Sequence, residues 1–300
     1  MDNDLQVRLA AFSWLKTQVE IHGDVLPRTL LHEGFNFEGE RVPLVAPQGI
    51  FKPRIMDLPL SITTSPNSPY EDSFSRDKYL LYKYRGTDPA HRDNVGLREV
   101  FTKQKLLVYF HGLMPGKYLA VWPVFIIADD PTNLSFSVAV DDLATFEVER
   151  KDLGQVADRE ESRRAYITST TKVRVHQRRF REKVLEAYRS QCAFCRLRHR
   201  ELLDAAHIIP DYEPESRPSV DNGLSLCKLH HAAFDSFIIG VSPDFKIKVR
   251  GDILEEIDGP LLKHGLQELD GMQIYLPERM IDRPDQEALE WKYQRFLEAA

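Results

Sequence analysis

Cysteine is scarce in this sequence, with three among 300 residues. That excludes a disulfide-stapled secreted scaffold and fits a reducing compartment, so a cytoplasmic location is expected. No apolar run is long enough to cross a bilayer, so no membrane partner is expected. The opening Met1-Asp2-Asn3-Asp4-Leu5 has neither the basic stretch nor the apolar core of a secretory signal. No internal repeat is evident, which sets solenoids aside. Positive charge is short overall, the formal net charge being -6. At 42% hydrophobic and 29% charged residues the composition is ordinarily globular, and the length suggests about two domains.

The positive charge that exists is concentrated. From Arg159 to Arg200, thirteen Lys and Arg stand against four Glu. Such a stretch can follow a phosphate backbone despite the global sign, and Arg178 and Arg179 are its candidate DNA contacts. A solvated helix face is the plainer alternative.

Texture divides the chain. Leu5, Leu9, Phe12, Leu15 and Val19 recur at helical spacing and predict a packing helix over 5–21, ended by Gly23 and Pro27. From about 30 to 148, short apolar runs such as Leu106-Leu107-Val108-Tyr109-Phe110 alternate with Gly, Pro, Asn and Asp. That is the pattern of a β-rich domain, a barrel or a strongly curved sheet. Residues 151–175 read as a charged linker. Helices are expected over 176–190 and over 287–297, the latter packing through Leu289, Trp291 and Phe296. The expected class is α+β: a β-rich domain over 1–150, a second domain over 176–250, and an extension over 251–300 packed on it.

All three cysteines fall in one pattern. Cys192 and Cys195 form a C-x2-C pair, and Cys227 with His230 a C-x2-H pair. Donors three residues apart grip one ion from a tight turn, and two such turns complete a tetrahedron with no open position. The expected occupant is structural zinc; buried thiols are the plainer alternative. Between the pairs lie His207, in an apolar strand-like stretch, and Asn222, at a turn before a short strand. His231 opens a predicted helix, with Asp235 one turn on and on the same face, so the two can share a divalent cation. His230 and His231 point about 100° apart on a helix, which lets one serve zinc and the other a catalytic ion.

The stretch from Cys192 to about Val249 resembles the HNH nucleases of the ββα-metal fold, through His207, Asn222 and His231. The resemblance implies His207 as general base, Asn222 as its orienting residue and His231 as metal ligand. Mg2+, Mn2+, Co2+ or Ni2+ would serve as catalytic ion. Histidine suits water activation near neutral pH, and a partner accepting its second N–H should fix its tautomer. Many HNH proteins carry an acid or His just before the base, where this chain has Ala206. Asp235, then Asp204, would supply the missing ligand.

Together the two halves resemble the modification-dependent restriction endonucleases, which join an SRA-like (PUA-like) barrel to an HNH domain. That implies double-stranded DNA with a modified cytosine, most often 5-methylcytosine, flipped into a pocket. Tyr84 and Asp88 are the pocket candidates, with Phe51 and Tyr82 behind them: rings stack on a flipped base, and a carboxylate accepts from the cytosine amino group. One HNH site cuts one strand, so a homodimer on DNA is expected. Two alternatives stand beside this reading. The trigger can be a phosphorothioate or an unmodified sequence, or the zinc-stapled fold can bind DNA with little catalysis.

Overall fold

A computed structural model describes residues 3–66, 79–140, 171 and 174–299. The chain divides into two compact units, Met1–Arg178 and Arg179–Ala300. Most of the expected linker lies outside the described residues.

The first unit opens with helix α1 (Asn3–His22). Strand β1 (Val25–Pro27), helix α2 (Arg28–Glu33) and the hairpin β2 (Phe35–Phe37) and β3 (Glu40–Val42) follow. Next come β4 (Ile50–Phe51), β5 (Ser61–Thr63), β6 (Leu80–Lys83) and helix α3 (Arg92–Thr102). Three long strands end the unit: β7 (Leu107–Met114), β8 (Lys117–Asp130) and β9 (Ser135–Val140). The main sheet has seven strands in the order β4-β5-β7-β8-β9-β6, with β1 added against β8. Only β5 and β7 run parallel among these pairs.

The apolar runs of β7 and β8 are continuous because both faces of the sheet are covered. Leu107 and Tyr109 face one core with Leu97 and Val100 of α3. Their neighbours Val108 and Phe110 face the other, with Val7, Ala11, Phe12 and Leu15 of α1. Register shifts in β7–β8 and β8–β9 add twist and curl the sheet. The Tyr82 hydroxyl on β6 reaches across to the Thr63 carbonyl on β5, at 3.4 Å. Among the described residues no backbone ladder joins β4 to β6. Of the barrel and the strongly curved sheet expected, the described residues show a curled sheet, with no closed barrel among them.

Helix α1 differs from its predicted face. Leu9 is 43% exposed, whereas Asp4 and Arg8 are buried. The Asp4 carboxylate accepts from the backbone N–H of Asp57 and Leu58, and Arg8 donates to the Leu106 carbonyl. Unpaired loop groups draw a polar pair into the core, which an apolar periodicity does not register.

In the second unit, residues 174–187 make helix α4, of which 179–187 belong here. Strands β10 (Leu203–His207) and β11 (Gly223–Cys227) pair antiparallel, from Leu203 opposite Cys227 to His207 opposite Gly223. Helix α5 (Lys228–Asp235) follows directly, giving a strand–strand–helix unit. The hairpin β12 (Ile239–Val241) and β13 (Ile247–Val249) comes next, then helices α6 (Gly251–Glu255), α7 (Pro260–Gly265) and α8 (Gln286–Ala299). One core joins Phe180 and Val184 of α4, Leu224 and Leu226 of β11, Phe234 of α5 and Leu289 of α8. The segment after residue 250 is thus part of this core, and Tyr275 N–H bonds the Ala193 carbonyl at 2.7 Å. In α8 Trp291 is only partly buried, and Lys292 takes the inward position expected of it.

Helix α8 comes close to β12 because residue 240 has no side chain. A Cβ on Gly240 would lie 2.6 Å from the Phe296 ring. Gly240→Val is expected to destabilise the protein by about 1–3 kcal/mol through overpacking, read from chemical denaturation midpoints.

Candidate functional site

The paired turns converge. Cys192, Cys195, Cys227 and His230 place one donor atom each within 4.8 Å of one another. A zinc–sulfur bond of about 2.3 Å sets tetrahedral donors roughly 3.8 Å apart, so the cluster fits a thiolate-binding ion. His230 Nδ1 lies 3.3 Å from Cys192 Sγ and 3.2 Å from Cys227 Sγ. Its Nε2–H donates to the Gly265 carbonyl at 2.8 Å, which leaves Nδ1 as the coordinating nitrogen. Bonds from Cys192 and Cys195 hold the Cys227 thiol well below its ordinary range.

One helical position later, His231 turns to a different place. With His207, Asp235, Tyr212, Trp291, Lys292 and Arg295 it lines a cleft of about 740 Å3. His207 stands at the end of β10, its ring stacked on Phe180 with centroids 4.0 Å apart and planes 9° from parallel. Among the described residues the ring makes no hydrogen bond, so the expected tautomer-fixing partner is not found and the stack holds only the plane of the ring. The stack has room because Gly223, opposite His207, carries no side chain; a Cβ there would lie 2.8 Å from Phe180 Cζ. Burial lowers the His207 pKa, which keeps the imidazole neutral.

His231 sits between two carboxylates. Its Nε2 is 3.2 Å from Asp235 Oδ2, and its Nδ1 is 3.9 Å from Asp204 Oδ2. The bond to Asp235 raises the His231 pKa. The two acids address opposite nitrogens of one ring, so His231, Asp235 and Asp204 do not converge on a single ion in this arrangement. Asp235 lines the cleft with His207, while Asp204 is also tied to Arg181 at 3.3 Å. Ala206, in the position before His207, is fully buried.

Asn222 is buried, and its role is visible in its bonds. Oδ1 accepts from Ile209 N–H at 2.8 Å; Nδ2 donates to the carbonyls of Ile209 and Arg217. Its own carbonyl accepts from Ile208 N–H. Asn222 therefore ties down the loop that leaves His207, and its amide hydrogens are spent there.

The reader candidates of the first unit are not gathered in one place. Tyr82 and Tyr84 lie in the sheet core, where Tyr84 packs on Phe136 and bonds Asp129 and Arg98. Burial pushes the Tyr82 hydroxyl far above its ordinary pKa. Asp88 is exposed at a turn, and its carboxylate accepts from Ala90 N–H. Phe51 lines a cleft of about 650 Å3 with Lys52, Asp57, Arg92 and Asp93. Arg178 is held by Asp24 at 3.0 Å, and Arg179 is partly buried.

Residues 192–242 match the HNH endonuclease family. The second unit carries a metal-dependent HNH endonuclease domain. The match spans the metal cluster, both strands and helix α5, and stops short of α8. No curated protein matches the chain. A solved structure described as "Modification dependent TagI restriction endonuclease" aligns at 12% identity over 79% of this chain and 81% of that one. Its TM-score is 0.31. Among the described residues no helix is long and apolar enough to cross a membrane.

Sequence reasoning missed Phe180 beneath His207 and Lys292 in the cleft. A signal for the second was present: Lys292 follows Ala288 by four and Leu289 by three, on the inward face.

Two outcomes are expected. Metal analysis should find one tightly held zinc per chain, lost with unfolding in Cys192→Ser. At saturating divalent ion, which would hold His231 unprotonated, the acid limb of the cleavage rate should fall below the ordinary histidine value of about 6.5, because a depressed pKa keeps His207 neutral to lower pH. Rate is lost as pH falls through that pKa, and Phe180→Ala, which exposes the ring, should move the limb upward.

Proposed function

We propose that the protein is a DNA endonuclease that recognises modified cytosine, 5-methylcytosine first, by base flipping. The observation carrying the nuclease part is the single cleft that gathers His207, His231 and Asp235 inside a segment matched to the HNH endonuclease family. His207, desolvated on Phe180, takes the proton of the attacking water. His231 and Asp235 would hold a divalent ion such as Mg2+, Mn2+, Co2+ or Ni2+, which neutralises charge on the phosphate oxygens. Asn222 holds the loop beyond His207 so that the base keeps its position. Cys192, Cys195, Cys227 and His230 would hold a zinc ion, which would fasten the start of helix α5.

The reader is assigned to the cleft of Phe51, Asp57, Arg92 and Asp93 beside the curled sheet. It combines a ring, the Asp57 carboxylate able to accept from an exocyclic amino group, and cations for phosphate, while Asp93 is engaged by Arg85 and Arg92. A base methyl group adds only about 1 kcal/mol in a dry site, so a dimer with two readers would sharpen the choice.

Ala206 favours a second reading, a module that binds DNA and cuts it weakly. A panel of matched plasmids, unmodified, cytosine-methylated and phosphorothioated, with each of the four metals, separates the readings. Cutting of methylated DNA, lost by at least a thousandfold in His207→Ala (about 4 kcal/mol of barrier), is expected. Equal cutting of all plasmids ends the modified-base reading, and no cutting with any metal ends the enzymatic one.

A further inference from the structure

Helix α8 delivers a charged side chain to the wall of the nuclease cleft. Lys292 shares the buried face of α8 with Ala288, Leu289 and Phe296, and is 4% exposed. Its ammonium lies 4.7 Å from the Phe234 ring centroid and 5.1 Å from that of Phe237. It pairs with Asp235 Oδ1 at 3.6 Å. The other oxygen of that carboxylate, Oδ2, faces His231 Nε2.

Removing an ammonium from water is costly unless partners compensate, and an apolar side chain would fill a space between two rings without that cost. Position 292 therefore supplies something other than volume. Asp235 has a side chain 53% exposed and stands on the last turn of α5. Left to solvent, its carboxylate would be free to rotate. Lys292 occupies one oxygen from behind and leaves the other toward His231.

We propose that Lys292 is a positioning residue of the nuclease site, which holds Asp235 so that Oδ2 stays beside His231 Nε2 as one half of a metal-binding pair. The proposal rests on the assignment of His231 and Asp235 to the divalent ion. It places part of the active site in α8, outside the segment matched to the family.

Lysine also repels a cation, so a single variant mixes two opposite effects. A double-mutant cycle separates them, because the repulsion is removed equally in both backgrounds. Mn2+ binding is measured on the full chain from the electron paramagnetic resonance signal of free Mn2+, for wild type, Asp235→Ala, Lys292→Met and the double variant. Lys292→Met is expected to cost about tenfold more affinity with Asp235 present than in the Asp235→Ala background. Equal effects in the two backgrounds overturn the proposal. Unchanged binding in Asp235→Ala overturns it together with the metal-pair assignment, whereas weaker binding there and additivity in the cycle sink the Lys292 role alone. Melting curves control for folding, and Lys292→Gln takes the place of Lys292→Met in the same cycle if that variant does not fold.

Discussion

The second unit depends on the double engagement of one imidazole. His230 turns Nδ1 to the thiols of Cys192 and Cys227 and gives its Nε2–H to the carbonyl of Gly265. Three elements meet there: the turn after α4, the junction of β11 with α5, and the end of α7. Three thiols and an imidazole in so small a space have little to hold them together by themselves. An ion held there would turn mutual repulsion into shared coordination and couple their assembly to folding. Because His231 is the next residue, the anchoring of α5 also fixes the direction in which His231 projects. The donor cluster and the cleft are separated by one step of a helix.

The convergence of the four donors was legible in the sequence, since ligand spacing is a local property. So were the long strands of the first unit, whose uninterrupted apolar runs reflect a sheet covered on both faces. What could not be read were pairings between distant residues. Leu9 fits a helical apolar stripe, yet the core takes Arg8, because the Leu106 carbonyl needs a donor. Trp291 looks like the packing group of α8, yet Lys292 turns inward to an acid 57 residues earlier in the chain. Tyr82 and Tyr84 form the densest aromatic cluster, and for that reason the core absorbs them. The cleft falls instead to Phe51, in a short strand with little sequence signal.

The basic stretch carries a related lesson. Counted along the chain it is a run of positive charge, but many of its members brace the protein itself. Arg178 meets Asp24, Arg181 meets Asp204 and the Leu203 carbonyl, and Arg200 meets Glu182 and the Ser190 hydroxyl. The field offered to a polyanion is correspondingly smaller than the count implies. Arg181 also steadies the strand that carries His207, so part of this charge serves the nuclease site through the fold.

Gly223 has no functional atom beyond its backbone, yet it faces His207 across the hairpin and leaves the hollow that the edge of Phe180 fills. A methyl at that position would lie 2.6 Å from Val184 Cγ2 and 2.8 Å from Phe180 Cζ, crowding the ring on which the imidazole lies flat. The packing beneath His207 is thus shaped from the partner strand, by the absence of one carbon atom.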